Sequence, residues 1–173
     1  MSKDYYLFEN ESGETAYLAG IVEVLSDNLS LVCDFGNSSE ADILYMKDND
    51  FDYLENSLKK RFYSYTSQGG RTTIKDIDKL NFKFDILKTD VKKYVFNAFS
   101  KYSHSKDLQK SVDEFFLSLN WYLQEPTCIY TLSKGISGKV GDVLGDLYMY
   151  MAFNYFFVAY DEYAVLFVFG TSE

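Results

Sequence analysis

An α+β fold is what this sequence predicts: a central antiparallel sheet with about three helices packed on it, closed by a C-terminal aromatic β-hairpin. Three observations carry that prediction. Apolar residues recur at helical spacing in three separate middle segments. Runs rich in β-branched and aromatic residues lie on either side of them. Residues 148–160, YMYMAFNYFFVAY, are apolar at both parities, as a strand covered on both faces should be.

The elements follow in order. Tyr5 to Glu9 reads as a first strand, and Glu11-Ser12-Gly13-Glu14 as a turn. Residues 16–25 fit either a helix or a strand. Tyr17, Ile21 and Val24 would line a helix, whereas Ile21-Val22-Glu23-Val24-Leu25 is strand-like. The strand is preferred, because Ser26-Asp27-Asn28 makes a good turn and Leu29 to Phe35 a second strand, giving a hairpin. Between Asp52 and Tyr65 the period changes: Leu54, Leu58, Phe62 and Tyr65 form one helical stripe. Asp50 and Asp52 sit at its N-terminus, where carboxylates cap free amides and suit the helix dipole. Gly69-Gly70 marks the loop that follows. Asn81 to Leu87 alternates Phe82, Phe84 and Ile86 with Lys83 and Asp85, a half-buried strand.

Thr89-Asp90 opens a second helix with Val91, Val95, Ala98 and Tyr102 on its apolar stripe. A third runs near Asp107 to Leu123, burying Val112, Phe115, Phe116, Leu119 and Tyr122, and Pro126 ends that region. Glycines at 135, 138, 141 and 145 make the next stretch loop-like, although Val140, Val143, Leu144 and Leu147 allow a short helix. The aromatic run then turns at Asp161-Glu162 and returns through Ala164 to Phe169. With 173 residues and no linker-like tract, residues 1–173 are expected to make a single domain.

Composition restricts function. A net charge of −9 and a pI near 4.6 repel phosphate backbones, so nucleic acid is not an expected partner. The same field speeds encounter with a basic protein. The N-terminal residues do not read as a signal peptide, and Asn154 and the tyrosines make 147–160 too polar for a membrane span. No membrane association and a cytoplasmic location are expected. Cys33 and Cys128 sit in apolar runs and read as small core residues rather than a disulfide framework. With 16 Tyr among 173 residues, some must reach the surface, because each buried hydroxyl needs a partner.

Catalytic patterns are incomplete. His104 lies in Ser103-His104-Ser105 with no orienting carboxylate assigned. One histidine and two distant cysteines make no zinc-type cluster. Asp48-Asn49-Asp50-Phe51-Asp52 begins like a calcium loop, but Tyr53 and Lys59 stand where it needs glycine and glutamate. Gly135-Ile136-Ser137-Gly138-Lys139 is half a phosphate loop, with Ser133 and Val140 at positions that should be glycine and a hydroxyl residue. No catalytic residue, metal or cofactor is therefore expected. The acidic group Asp48, Asp50, Asp52 and Glu55 reads as a helix-capping face or as a contact surface for a basic partner.

The ending Phe156-Phe157-Val158-Ala159-Tyr160-Asp161-Glu162-Tyr163 through Phe169-Gly170-Thr171-Ser172-Glu173 resembles that of many bacterial immunity proteins. These are small and acidic, and finish with an aromatic strand, an acidic turn, an apolar strand and an FG[ST]-x-E-like tail. The segment Asp34 to Glu40, followed by Ile43-Leu44-Tyr45-Met46, adds to the likeness. The nearest type is the immunity protein of contact-dependent growth-inhibition systems. The resemblance implies a cytoplasmic antitoxin, monomeric or weakly dimeric, that binds the C-terminal toxin domain of a large surface protein, often a nuclease. It assigns no binding residue. A small-molecule enzyme using buried carboxylates and tyrosines, and a structural or oligomerising module, are the alternatives.

Overall fold

The computed structural model describes residues 13–47, 50–66, 77–80, 82–133, 137–148 and 152–171. Its elements are α1 (Gly13–Ser30), β1 (Asn37–Tyr45), α2 (Phe51–Thr66), β2 (Phe84–Leu87), α3 (Val91–Phe99), α4 (Leu108–Asn120), β3 (Cys128–Leu132), α5 (Ser137–Tyr148), β4 (Ala152–Ala159) and β5 (Tyr163–Thr171). The five strands form one sheet in the order β1-β5-β4-β3-β2, and every neighbouring pair is antiparallel.

The sheet is covered on both faces. Ile43, Ile129, Phe156, Val158, Val165, Phe167 and Phe169 pack under α1, α3 and α4. Residues of the other parity, among them Leu44, Tyr130, Phe157, Leu166 and Val168, pack under α2 and α5. This explains the loss of alternation in β5, where Tyr163 to Gly170 are all buried. Rings from Phe99, Phe115, Phe156, Phe167 and Phe169 meet with centroids 4.5–6.0 Å apart, in edge-on, tilted and stacked contacts. Gly170 lies where β4 comes close: a Cβ there would stand 2.1 Å from the Ala152 carbonyl oxygen.

The α+β class and the aromatic hairpin are as expected, and the described residues hold five helices rather than about three. One addition corrects the reading of residues 16–25. They belong to α1, and the expected hairpin with Leu29 to Phe35 does not form. Leu18, Val22, Ser26 and Leu29 make the buried stripe of α1. A serine in that stripe, and Val24 facing water, conceal the helical period. The buried serine is satisfied across the interface: the Ser26 and Ser39 hydroxyls lie 3.4 Å apart, the Ser39 hydroxyl donates to the Ser26 carbonyl at 3.0 Å, and the Ser30 hydroxyl donates to the Ser39 carbonyl at 2.9 Å. This clasp fixes α1 on β1. Gly36, at φ 79°, supplies the left-handed residue just before β1 begins.

The other additional helix is α5, which follows the short-helix alternative for its segment. Strand β3, buried at four of its five positions, was not foreseen. The expected helix near Asp52 to Tyr65 forms as α2, burying Leu54, Leu58 and Phe62. Asp90 caps α3 by accepting the Lys93 amide at 3.0 Å. The expected strand at Tyr5 to Glu9, the Gly69-Gly70 loop and residues 134–136 lie outside the described residues.

Candidate functional site

One end of the sheet holds several exposed aromatic and acidic residues that the core does not explain, while Phe35 and Leu31, 97% and 82% exposed, lie before the start of β1. At that sheet end β1 and β5 finish on the Tyr45–Tyr163 pair, and β3 and β4 on Cys128–Ala159. The hairpin turn between β4 and β5 is closed by the Tyr160 amide, which donates to the Tyr163 carbonyl at 2.8 Å. Its Glu162 carbonyl accepts the Met46 amide at 2.7 Å, so the chain leaving β1 is pinned to the turn. Against this end lie the first turn of α1 and the residues just past α4.

Between them is a cleft of about 620 Å³. Its walls are Tyr122, Leu123, Tyr160 and Tyr163, with Gln124 and the carboxylates of Glu14, Asp161 and Glu162. Glu14, Asp161 and Glu162 are exposed, whereas Leu123, Tyr160 and Tyr163 are buried. The volume lies within the range of ligand sites, about 300–1,000 Å³. The Tyr160 hydroxyl is buried without a hydrogen-bond partner, a rare state for a polar group. Burial, together with the nearby Glu125 carboxylate, drives its pKa up. Burial also raises that of Tyr163, and the Tyr17 hydroxyl raises that of Tyr122. These phenols stay protonated near neutrality, so they offer donors and ring faces rather than bases.

Large apolar side chains are exposed at the end of α4 and on α1. Trp121 is 83% exposed, Leu117 64%, Tyr17 60% and Tyr122 50%. Tyr17 and Tyr122 meet edge-on at 5.9 Å. Tyr122 was expected on the buried face of its helix, but α4 ends at Asn120 and the chain turns there, which places Tyr122 on the surface. From Tyr163 an aromatic chain continues to Tyr45 at 5.8 Å and on to Tyr53 at 6.2 Å.

That chain leads to the acidic group singled out in the sequence. Asp50 is exposed, and its Oδ1 accepts the Asp52 amide at 2.8 Å while its carbonyl accepts the Leu54 amide at 3.2 Å. It therefore caps α2, as expected. Asp52 is exposed beside Tyr53. Glu55 is tied to Lys59 at 2.6 Å and contributes little free charge. Asp48 lies outside the described residues. Asp50 and Asp52 thus lie at the margin of this candidate surface, and the residues at its centre were not singled out in the sequence. The signal for the centre was present in Trp121-Tyr122 at a helix end and Asp161-Glu162 at a hairpin turn. Only the fold brings those segments to Glu14.

His104 is exposed in a loop and has a partner that the sequence did not assign. An orienting carboxylate exists: Asp34, 70 residues upstream, has Oδ2 at 2.5 Å from His104 Nδ1 and accepts the His104 amide through Oδ1 at 2.9 Å. These contacts hold the Asp34 carboxyl below its ordinary value. The neighbouring nucleophiles are engaged elsewhere. The Ser103 hydroxyl donates to the Val32 carbonyl. The Cys33 thiol, 3.6 Å from the Leu29 carbonyl, is pushed up to about 11, mainly by burial. The pair acts as a clip between two loops. Among the described residues no three His, Cys, Asp or Glu side chains are grouped to hold a metal ion, and no helix is long and apolar enough to cross a membrane.

No protein-family model matches the chain, and no characterised protein or solved structure matches it either.

Proposed function

We propose that this protein is an immunity protein that binds one cognate toxin domain in the cytoplasm and neutralises it. The contact surface in this reading is the tyrosine-lined, acidic end of the sheet, with Asp50 and Asp52 at its margin. The observation that carries the reading is the exposure of Tyr122 and its ring partner Tyr17, with the exposed Trp121 next in sequence, at a cleft lined by Glu14, Asp161 and Glu162. Large aromatic side chains left in water are what a protein interface uses as anchors. Carboxylates around them select a basic partner and speed its approach. The net charge of −9 and the C-terminal tail support the same conclusion. A nuclease toxin fits, because its substrate surface must be basic to hold phosphates. Covering that surface would block the active site or its approach without chemistry by the inhibitor.

The test is co-expression with the product of the neighbouring gene, which this reading expects to carry the toxin domain. Wild-type protein should restore growth and co-purify with the toxin at 1:1. Trp121→Ala combined with Tyr122→Ala should lose both properties while remaining folded. Full protection by that folded double variant would remove this surface from the mechanism. Failure of the wild-type chain to protect or bind would remove the immunity reading.

A further inference from the structure

We infer that the cleft between α1, the end of α4 and the β4–β5 turn receives an arginine side chain of the partner protein. The inference rests on the proposed binding reading, and names the partner group that the cleft receives. Three properties of the cleft select the occupant.

Its charge is one-sided. Glu14, Asp161 and Glu162 line it, Glu125 stands near Tyr160, and among the described residues no Lys or Arg lines it. A cation is therefore attracted. Its depth is aromatic. Tyr122, 50% exposed, supplies the accessible ring of its wall, whereas Tyr160 and Tyr163, 2% and 6% exposed, line it from the core and leave little ring face open. Phenol rings kept neutral present negative faces, which hold a cation within about 6 Å of a ring centroid. Screening is weaker against these buried walls than on an open surface.

The third property separates guanidinium from ammonium. A lysine head is a compact, strongly hydrated charge, and entering an aromatic cleft strips that water away. A guanidinium is flat and weakly hydrated, so it can stack on a ring while five N–H groups reach outward. Here those donors would meet carboxylates on two separate elements, Glu14 on α1 and Asp161 and Glu162 on the turn, with the Gln124 side chain beside them. At about 620 Å³ the cleft has room for the side chain and adjoining main chain of an extended loop.

The experiment uses the isolated full chain with its tyrosine rings isotopically labelled. The peptide acetyl-Gly-Arg-Gly-amide is titrated in and followed by NMR, with the citrulline peptide as the neutral, isosteric control. The arginine peptide should shift the ring signals of Tyr122, Tyr160 and Tyr163 saturably, and at least tenfold more tightly than the citrulline peptide. Asp161→Asn with Glu162→Gln should weaken it at least tenfold. Tyr122→Leu, at an exposed position, gives a second weakening that does not alter the charge. Equal shifts from both peptides, or undiminished binding in the neutralised variant, would overturn the inference. So would a normal toxin complex from a chain whose cleft ignores the arginine peptide, which would leave the immunity reading standing. Selective arginine binding in a chain that forms no toxin complex would uphold the cleft and remove the immunity reading.

Discussion

Replacing Trp121 with alanine separates the two uses of a large aromatic side chain. A core tryptophan stabilises the fold, whereas an interface tryptophan stabilises only the complex. A tryptophan side chain offers on the order of 250 Å², so with 83% of it exposed about 200 Å² is free for a partner to cover. At about 25 cal/mol per Å², that area is worth at most about 5 kcal/mol. Incomplete burial and the ordering of the complex bring truncation of such an anchor to about 2–4 kcal/mol. The corresponding loss of affinity is roughly 30- to 1,000-fold. Stability should change by no more than about 0.5 kcal/mol, because little of the side chain is packed in the free protein. For a chain of this length the melting temperature then moves by about 2 °C or less. Calorimetric titration against the toxin domain, alongside a thermal melt of each variant, reads both quantities. An affinity loss smaller than about threefold with an unchanged melt would refute the reasoning, since Trp121 would then be exposed without being used. A large fall in melting temperature would refute it differently, by showing that the side chain supports the fold.

Other predictions concern the fold and its charges. Phe167→Ala removes a ring at 0% exposure from the middle of the aromatic cluster and should cost about 3–5 kcal/mol in a urea melt. Asp34→Asn tests the loop clip. Because the folded pKa of Asp34 is lowered, its stabilisation is complete above the ordinary carboxylate value of 3.8 and disappears as pH falls through the depressed value. Wild type should therefore be the more stable at neutral pH, and the difference should shrink in acid. Glu40→Gln runs the other way. Partial desolvation and the carboxylates of Asp27, Asp42 and Glu23 raise the pKa of the surface residue Glu40, so its charged form weakly disfavours the fold at neutral pH. The glutamine variant should be more stable there, with the gain vanishing below the ordinary value of 4.5.

How much was legible depended on whether a residue's partner lay nearby in sequence. The helices α2, α3 and α4 were readable because each has a regular apolar stripe and polar residues near its start. The terminal hairpin was readable because aromatic runs apolar at both parities have few alternatives. Residues 16–25 misled because Ser26 interrupts the α1 stripe, and what makes a serine acceptable there is the Ser39 hydroxyl, thirteen positions away on another element. The same distance problem hid the site. Asp50 announces itself as a cap, since its role is satisfied within four residues. Glu14, Trp121-Tyr122 and Asp161-Glu162 mean little alone and acquire meaning once the sheet order brings them to one end. His104 likewise found its carboxylate only through the fold.

The central claim is that this sheet end captures a basic protein partner, and association kinetics test it most directly. Stopped-flow mixing with the toxin domain, at low and high salt, should show a rate constant that falls as salt rises. Charge reversal by Asp161→Lys and Glu162→Lys should slow the low-salt rate at least tenfold. A complex that forms equally fast at both salt concentrations, and with the reversed turn, would contradict the account.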